Sequence, residues 1–180
     1  MLINPLSIIS TVFVFDIDGT VCDSMPRVKK ICEKHGLFPD DHLNNVNWTD
    51  GLIEDLFPNE ETVMLDPVIP GSDTVIKKLN YNSLVFLTAR EEMHRDLTRK
   101  WLSHKLGICG DVPLLMKPDG EDRGRSTIYK KKMFKRKVYH RYGGNSFVFF
   151  DDDVNTLKMY SQFGMAFKAP ECWNIMGHML

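Results

Sequence analysis

Asp16 and Asp18 lie just beyond the apolar run from Thr11 to Phe15, and Asp151 and Asp152 lie just beyond the run from Phe147 to Phe150. Thr88 stands in the same relation to the run from Leu84 to Leu87. Continuous β-branched and aromatic runs of this kind suit strands buried on both faces of a parallel sheet. The carboxyl ends of adjacent parallel strands open onto one crevice, so these polar side chains are expected to meet there. A cluster of carboxylates cannot stay ionised together without a cation, and Mg²⁺ is the ordinary hard-oxygen partner. With such a cation in place, one carboxylate can attack phosphorus while another handles the leaving group's proton.

The elements that must position these groups follow from the pattern between the runs. Helices are expected from Asp73 to Leu79, after the Pro70-Gly71 turn, and from Glu91 to Leu106, with Met93, Leu97, Trp101 and Leu102 apolar. A third runs from Ile128 to Tyr142 with Ile128, Met133, Phe134 and Val138 on one face, and a fourth from Val154 to Phe163. Val112 to Met116 and Met165 to Phe167 read as two further strands. Alternating strand and helix predicts an α/β, Rossmann-like, three-layer fold with a central parallel sheet and right-handed crossovers. The stretch from 21 to 69 breaks the alternation. Within it a helix is expected from Pro26 to Lys34, followed by a polar Asn- and Asp-rich passage and a short amphipathic piece near Leu52 to Phe57. Placed directly after the first strand, it reads as a small cap over the crevice within a single domain spanning 1–180.

Composition adds bounds. The chain has 180 residues, 43% hydrophobic and 26% charged, enough for one domain with a sizeable core. The net charge of −1 exerts no strong global pull toward nucleic acid or membrane, but nine Lys and Arg crowd between Arg123 and Arg141 with no acid among them. Either a solvated helix face or a phosphate-facing surface accounts for that run. The four cysteines are scattered, with neither zinc nor redox spacing, and fit reduced thiols of a cytoplasmic protein. The segment from Leu2 to Phe15 lacks a basic leader and is interrupted by Asn4 and Pro5, so it reads as a first strand and not a signal peptide. No stretch is long or apolar enough to span a bilayer.

Asp16-Ile17-Asp18-Gly19-Thr20, then Thr88, a later Lys and Asp151-Asp152, occur in the order and setting that resemble the haloacid dehalogenase (HAD) superfamily. The resemblance implies an Mg²⁺-dependent phosphatase in which Asp16 is the nucleophile and also a metal ligand. Asp18 would protonate the leaving oxygen and then activate water; the dehalogenase members lack this second aspartate. Gly19 would sit in the substrate-binding turn and Thr88 would bind a phosphoryl oxygen. Asp151 and Asp152, with Asp16 and Asp18, would hold the metal directly or through water. Lys117, Lys130, Lys131 and Lys132 compete for the catalytic Lys, and Lys130 suits a position at the start of the helix before the last motif strand.

From Leu87 onward the chain resembles a narrower group, the 3′-phosphatase domain of phage polynucleotide kinase and its stand-alone relatives. The matching stretches are Thr88-Ala89-Arg90, Leu97 to Leu102, Pro113 to Met116, the Gly120 to Arg123 turn, Ile128-Tyr129-Lys130 and Cys172-Trp173. On this resemblance Lys130 falls on the catalytic Lys, Arg90 and Ala89 on the phosphate-binding segment, and Arg27, eleven residues after Asp16, on a further basic site residue. Three departures stand out. No GxxxxGK[ST] loop occurs, so no 5′-kinase activity is expected of this chain. Ser126 and Thr127 replace an acid before the Lys, and Pro39 to Val68 shows no match.

The expected substrate is thus a phosphorylated nucleic-acid end, with a 3′-phosphate preferred by resemblance. A small cap would leave the crevice open to a bulky substrate, and the basic helix could track a backbone. A 5′- or 3′-mononucleotidase is the nearest alternative, with Trp48 or Phe57 as candidates to enclose a base. A non-catalytic binding module on the same scaffold is an alternative of another class.

Overall fold

Thr11–Phe15 forms strand β1, and its side chains show why the run is apolar throughout. Successive residues of a strand face opposite sides. Phe13 and Phe15 point into one hydrophobic cluster with Leu84, Phe86, Trp101 and Trp173, while Val12 and Val14 point into a second with Val85, Phe134, Phe149 and Tyr160. A strand covered on both faces has no room for the polar alternation of a half-solvated sheet. The computed structural model describes residues 11–37, 55, 60–120 and 126–179.

The remaining elements are α1 (Met25–Lys34), α2 (Glu60–Met64), α3 (Ser72–Lys78), β2 (Leu84–Glu91), α4 (Arg95–Leu106), β3 (Leu114–Lys117), α5 (Ser126–Met133), β4 (Ser146–Asp151), α6 (Val154–Tyr160), β5 (Met165–Lys168) and α7 (Trp173–Met179). The five strands are ordered β3-β2-β1-β4-β5, and every pairing is parallel. Helices α3, α4 and α7 supply Val75, Ile76, Trp101 and Trp173 to one face, and α5 and α6 supply Tyr129 and Tyr160 to the other. This is the α/β, Rossmann-like architecture that the alternation predicts. The chain moves outward from β1 through β2 to β3, then crosses back to β4 on the other side of β1. The crevice at the carboxyl ends of β1 and β4 is therefore the topological switch point, where open α/β sheets bind ligands.

Two helix expectations need correction. Ile128 is 60% exposed, and the buried side of that helix is instead Tyr129, Lys130, Phe134 and Val138. Lys130, Phe134 and Val138 step by four and so share one helical face, and Ile128, six residues before Phe134, lies roughly 120° away from it; a π-helical stretch, Phe134–Tyr139, follows α5. Met93 is 69% exposed, because Glu92–His94 forms a 3₁₀ turn and the α-helix begins only at Arg95. Trp48 and Phe57 lie outside the described residues, as does the polar passage around them. Among the described residues no helix is long and apolar enough to cross a membrane.

Candidate active site

The site begins with the turn after β1. The Asp16 amide donates to Phe150 O of β4 at 2.9 Å, continuing the sheet, and the amides of Thr20, Val21 and Cys22 then converge on Ile17 O. Such a reversal requires a left-handed residue, supplied by Gly19 at φ 71°. A Cβ on Gly19 would lie 2.4 Å from Asp152 Oδ2, so the turn packs against the second carboxylate pair at a distance only glycine permits. From the other end of the chain, Trp173 Nε1–H donates to Thr20 O at 3.0 Å.

Asp16 and Asp151 share Lys130. Its Nζ lies 3.1 Å from Asp16 Oδ2 and 2.8 Å from Asp151 Oδ2, and all three side chains are buried. Of the four competing lysines only Lys130 stands here. Lys117 is also buried but lies 3.3 Å from Glu91, Lys131 is half-buried and Lys132 is exposed. Burial alone would lower the Lys130 ammonium, but Asp16 and Asp151 hold it above its ordinary value. Burial pushes the Asp16 carboxyl up to about 7; Lys130 opposes this, and Asp151 and Asp18 add to it. Asp152 is pushed up to about 6, again by burial and then by Asp16.

Asp16 Oδ1 is buried and has no hydrogen-bond partner, a costly state for a carboxylate oxygen. Asp16, Asp151 and Asp152 each offer a carboxylate oxygen, all within 4.8 Å of one another. Three carboxylates, one of which also carries an orphaned oxygen, with a single ammonium to offset them, fit a divalent cation such as Mg²⁺. Asp18, also expected among the metal ligands, is not in this group. Its carboxylate is taken by Arg90, whose Nε–H and Nη2–H donate to Oδ2 and Oδ1, each at 2.8 Å. Burial would raise Asp18, but that guanidinium, helped by Arg27 and Lys130, holds it below its ordinary value.

Arg90 is itself fixed. Its backbone N–H donates to Thr88 Oγ1 at 3.2 Å, Nη1–H to Thr98 Oγ1 at 3.4 Å, and Nη2–H also to Cys22 Sγ at 3.4 Å. Arg27 is buried on α1, its Nε–H within 3.0 and 3.1 Å of the two Asp66 oxygens. A cleft of about 240 Å³ is lined by Asp16, Asp18, Ser24, Arg27, Val28, Thr88, Ala89 and Arg90. Every residue expected to bind substrate thus lines one cleft except Gly19, which shapes the turn beside it. Arg27 and Asp66 also wall a neighbouring cavity of about 510 Å³, with Pro26, Lys30, Ile31 and Leu65 among its other lining residues.

Sequence reasoning missed Asp66 and Asp153. Asp66 anchors Arg27 from 39 positions away, and Trp101 Nε1–H donates to its backbone oxygen at 3.1 Å. No local pattern announces such a pairing. Asp153 caps α6, accepting from the amides of Asn155 and Thr156 and, at 3.1 Å, from Thr127 Oγ1. An aspartate just before an amphipathic run was the available signal. Thr127, one of two residues standing where the resemblance expected an acid, is therefore tied to an acid from elsewhere.

No protein-family model and no curated protein sequence matches the chain. Among solved structures, it is similar to a chain of the Pnkp1/Rnl/Hen1 RNA repair complex, at 19% identity over 89% of this chain and 42% of that one, with a TM-score of 0.58. A second structure of the Pnkp1/Rnl/Hen1 complex gives 20% identity, 88% and 45% coverage, and a TM-score of 0.59. A hydrolase from Pseudomonas syringae aligns at 13% identity over 94% of this chain and 99% of its own, with a TM-score of 0.38. The likeness to the first two is one of fold, and the chain spans less than half the length of either.

Proposed function

We propose that the chain is an Mg²⁺-dependent phosphomonoester hydrolase that works through an aspartyl-phosphate on Asp16 and acts on the 3′-phosphate of a polynucleotide end. The observation that carries the chemistry is the state of Asp16: buried, one oxygen on Lys130, the other without a partner, and facing a cleft walled by Thr88, Arg27 and Arg90. In the first step an Asp16 oxygen forms a bond to phosphorus as the bond to the leaving oxygen breaks, and that oxygen takes a proton from Asp18, which must first be released from Arg90 and protonated, since the guanidinium holds it below its ordinary value. In the second, Asp18 accepts a proton from water as the water oxygen attacks phosphorus, releasing inorganic phosphate and restoring Asp16. Arg90, Arg27 and the Thr88 hydroxyl would hold the phosphoryl oxygens, and Lys130 offsets the charge on Asp16 and Asp151. Asp16, Asp151 and Asp152 would hold Mg²⁺, which supplies positive charge beside the transferring group.

The 3′-end assignment is supported by the resemblance of residues 87–173 to polynucleotide 3′-phosphatases, and by the fold likeness to a chain of an RNA repair complex. A mononucleotidase is the second reading, favoured by the roughly 510 Å³ cavity beyond Arg27, which has room for a nucleoside. Phosphate release with Mg²⁺ from 3′- and 5′-phosphorylated oligonucleotides and from 3′- and 5′-mononucleotides separates them. Release from the 3′-oligonucleotide alone supports the first reading. Preference for mononucleotides supports the second, and release from none removes nucleic acid as the substrate.

A further inference from the structure

Charge in this chain is segregated. With the whole chain at −1 and the segment from Arg123 to Arg141 at +9, the remaining residues carry −10. The helix that bears the segment starts beside the carboxylates, since Lys130 touches both Asp16 and Asp151, and it runs down the outside of the sheet. Phe134 and Val138 face the core, and Lys135, Arg136, Lys137, His140 and Arg141 are exposed. Among the described residues none of Lys135, Arg136, Lys137 and Arg141 has a carboxylate partner within ion-pair distance. The solvated-face reading usually comes with acids interspersed for helix pairing, and this face has none.

Aromatic surface accompanies the cations. Tyr139 is 50% exposed while its ring packs edge-on against Phe134, centroids 6.1 Å apart, so it is held in place and still open to solvent. Arg141 lies over the Tyr142 ring at 5.3 Å. Lys135 lies over the Phe163 ring at 5.5 Å, while Lys137 and Arg141 flank Val85 and Leu115, so the cations spread around the exposed side of the helix. Cations combined with an exposed aromatic ring are how proteins bind single-stranded polynucleotide without reading its sequence: the cations follow phosphates and the ring stacks a base. From Lys130 to Arg141 the helix rises about 16 Å, enough to follow several phosphates.

We infer that the exposed face of Lys135, Arg136, Lys137, Tyr139 and Arg141 is a track for the single strand whose 3′-phosphate enters the Asp16 cleft. This rests on the phosphatase reading for the direction of the strand, but binding by the track is separable from turnover.

The test uses the full chain carrying Asp16→Asn, which holds a substrate without turning it over, and a fluorescein-labelled 15-nucleotide single strand with a 3′-phosphate. Anisotropy titrations across a range of KCl concentrations compare it with the same chain also carrying Arg136→Ala, Lys137→Ala and Arg141→Ala. Affinity at 0.1 M salt should fall at least ~10-fold, and the slope of log K against log salt should shallow by about 2, at roughly 0.7 per lost phosphate contact. In the chain that keeps Asp16, the same triple variant should hydrolyse p-nitrophenyl phosphate at the parent rate. Unchanged oligonucleotide affinity in the triple variant overturns the track, even if the parent chain releases phosphate from the strand. Binding to phosphatidylserine vesicles without binding to the strand overturns it too. Loss of strand binding in a chain that releases phosphate from no substrate upholds the track and removes the phosphatase reading instead.

Discussion

Arg90 and Asp18 are joined by two parallel hydrogen bonds of 2.8 Å, so the guanidinium expected to bind phosphate occupies the carboxylate expected to move the proton. A bidentate fork has a geometry that an ammonium cannot reproduce. Arg90→Lys should therefore do more than weaken phosphate binding. It leaves Thr98 and Asp18 without their planar partner, and kcat/KM should drop on the order of 100-fold, with kcat falling as well as KM rising. Steady-state kinetics on a small aryl phosphate reads both parameters; a change in KM alone would confine Arg90 to ground-state binding.

Asp16→Asn and Asp18→Asn separate the two proton and bond-forming roles. Asp16→Asn should abolish turnover and the acid-stable covalent phosphate expected on the parent after rapid quench, because no nucleophile remains. Asp18→Asn should slow turnover by about 10²–10⁴-fold while still allowing Asp16 to be phosphorylated by an activated ester with a good leaving group. Mass spectrometry of the quenched protein distinguishes the two variants.

Lys130→Ala removes the one cation that, among the described residues, touches both Asp16 and Asp151, and leaves two buried carboxylates facing each other. Breaking such a buried arrangement costs about 3–5 kcal/mol, a fall in Tm on the order of 10 °C for a chain of this size. Added Mg²⁺ should restore part of the loss in the variant, and should raise its Tm by more than it raises the parent's. Differential scanning calorimetry with and without Mg²⁺ measures both, and equal Mg²⁺ shifts would argue against a metal at these carboxylates.

Gly19→Ala should lose both stability and activity. The substitution meets a positive φ and a carboxylate 2.4 Å away, so either the turn or Asp152 must move. A cost of about 1–3 kcal/mol in denaturant unfolding is expected, with lower Mg²⁺ affinity by titration calorimetry. An Ala variant with parental metal affinity would mean that Asp152 is free to shift without consequence.

The four cysteines should divide by burial. Cys109 is exposed, while Cys22, Cys32 and Cys172 are buried, and burial pushes the Cys172 thiol up to about 11. Brief iodoacetamide treatment of the native chain should modify Cys109 alone, and all four in denaturant, as peptide mass mapping would record.

The strands were readable because each must be apolar on both faces, and their ends marked where polar groups would gather; Asp16 and Asp151 stand at or just beyond those ends, while Thr88, expected just past its strand, lies inside β2, which runs on to Glu91. Lys130 was singled out from Lys117, Lys131 and Lys132 by its position before the last motif strand and by the resemblance, and the buried Tyr129-Lys130 pair beside Phe134 shows it to be the one of the run that faces inward. The Ile128 face differs because Ile128 and Phe134, six residues apart, do not share a helical face, whereas Lys130, Phe134 and Val138 at steps of four do. Asp66 was invisible for a different reason. Its partner Arg27 is distant in sequence, and only the folded chain brings the charges together.

The hydrogen bond from Trp173 to Thr20 joins positions 153 residues apart, and so imposes an order on synthesis. The turn that presents Asp18 is translated long before Trp173, the residue that anchors it. At roughly 5–20 residues per second, the turn waits on the order of ten seconds or more before Trp173 exists to hold it. A nascent chain would therefore carry Asp16 and Asp18 early and the finished geometry of their turn late, only after translation has passed Trp173.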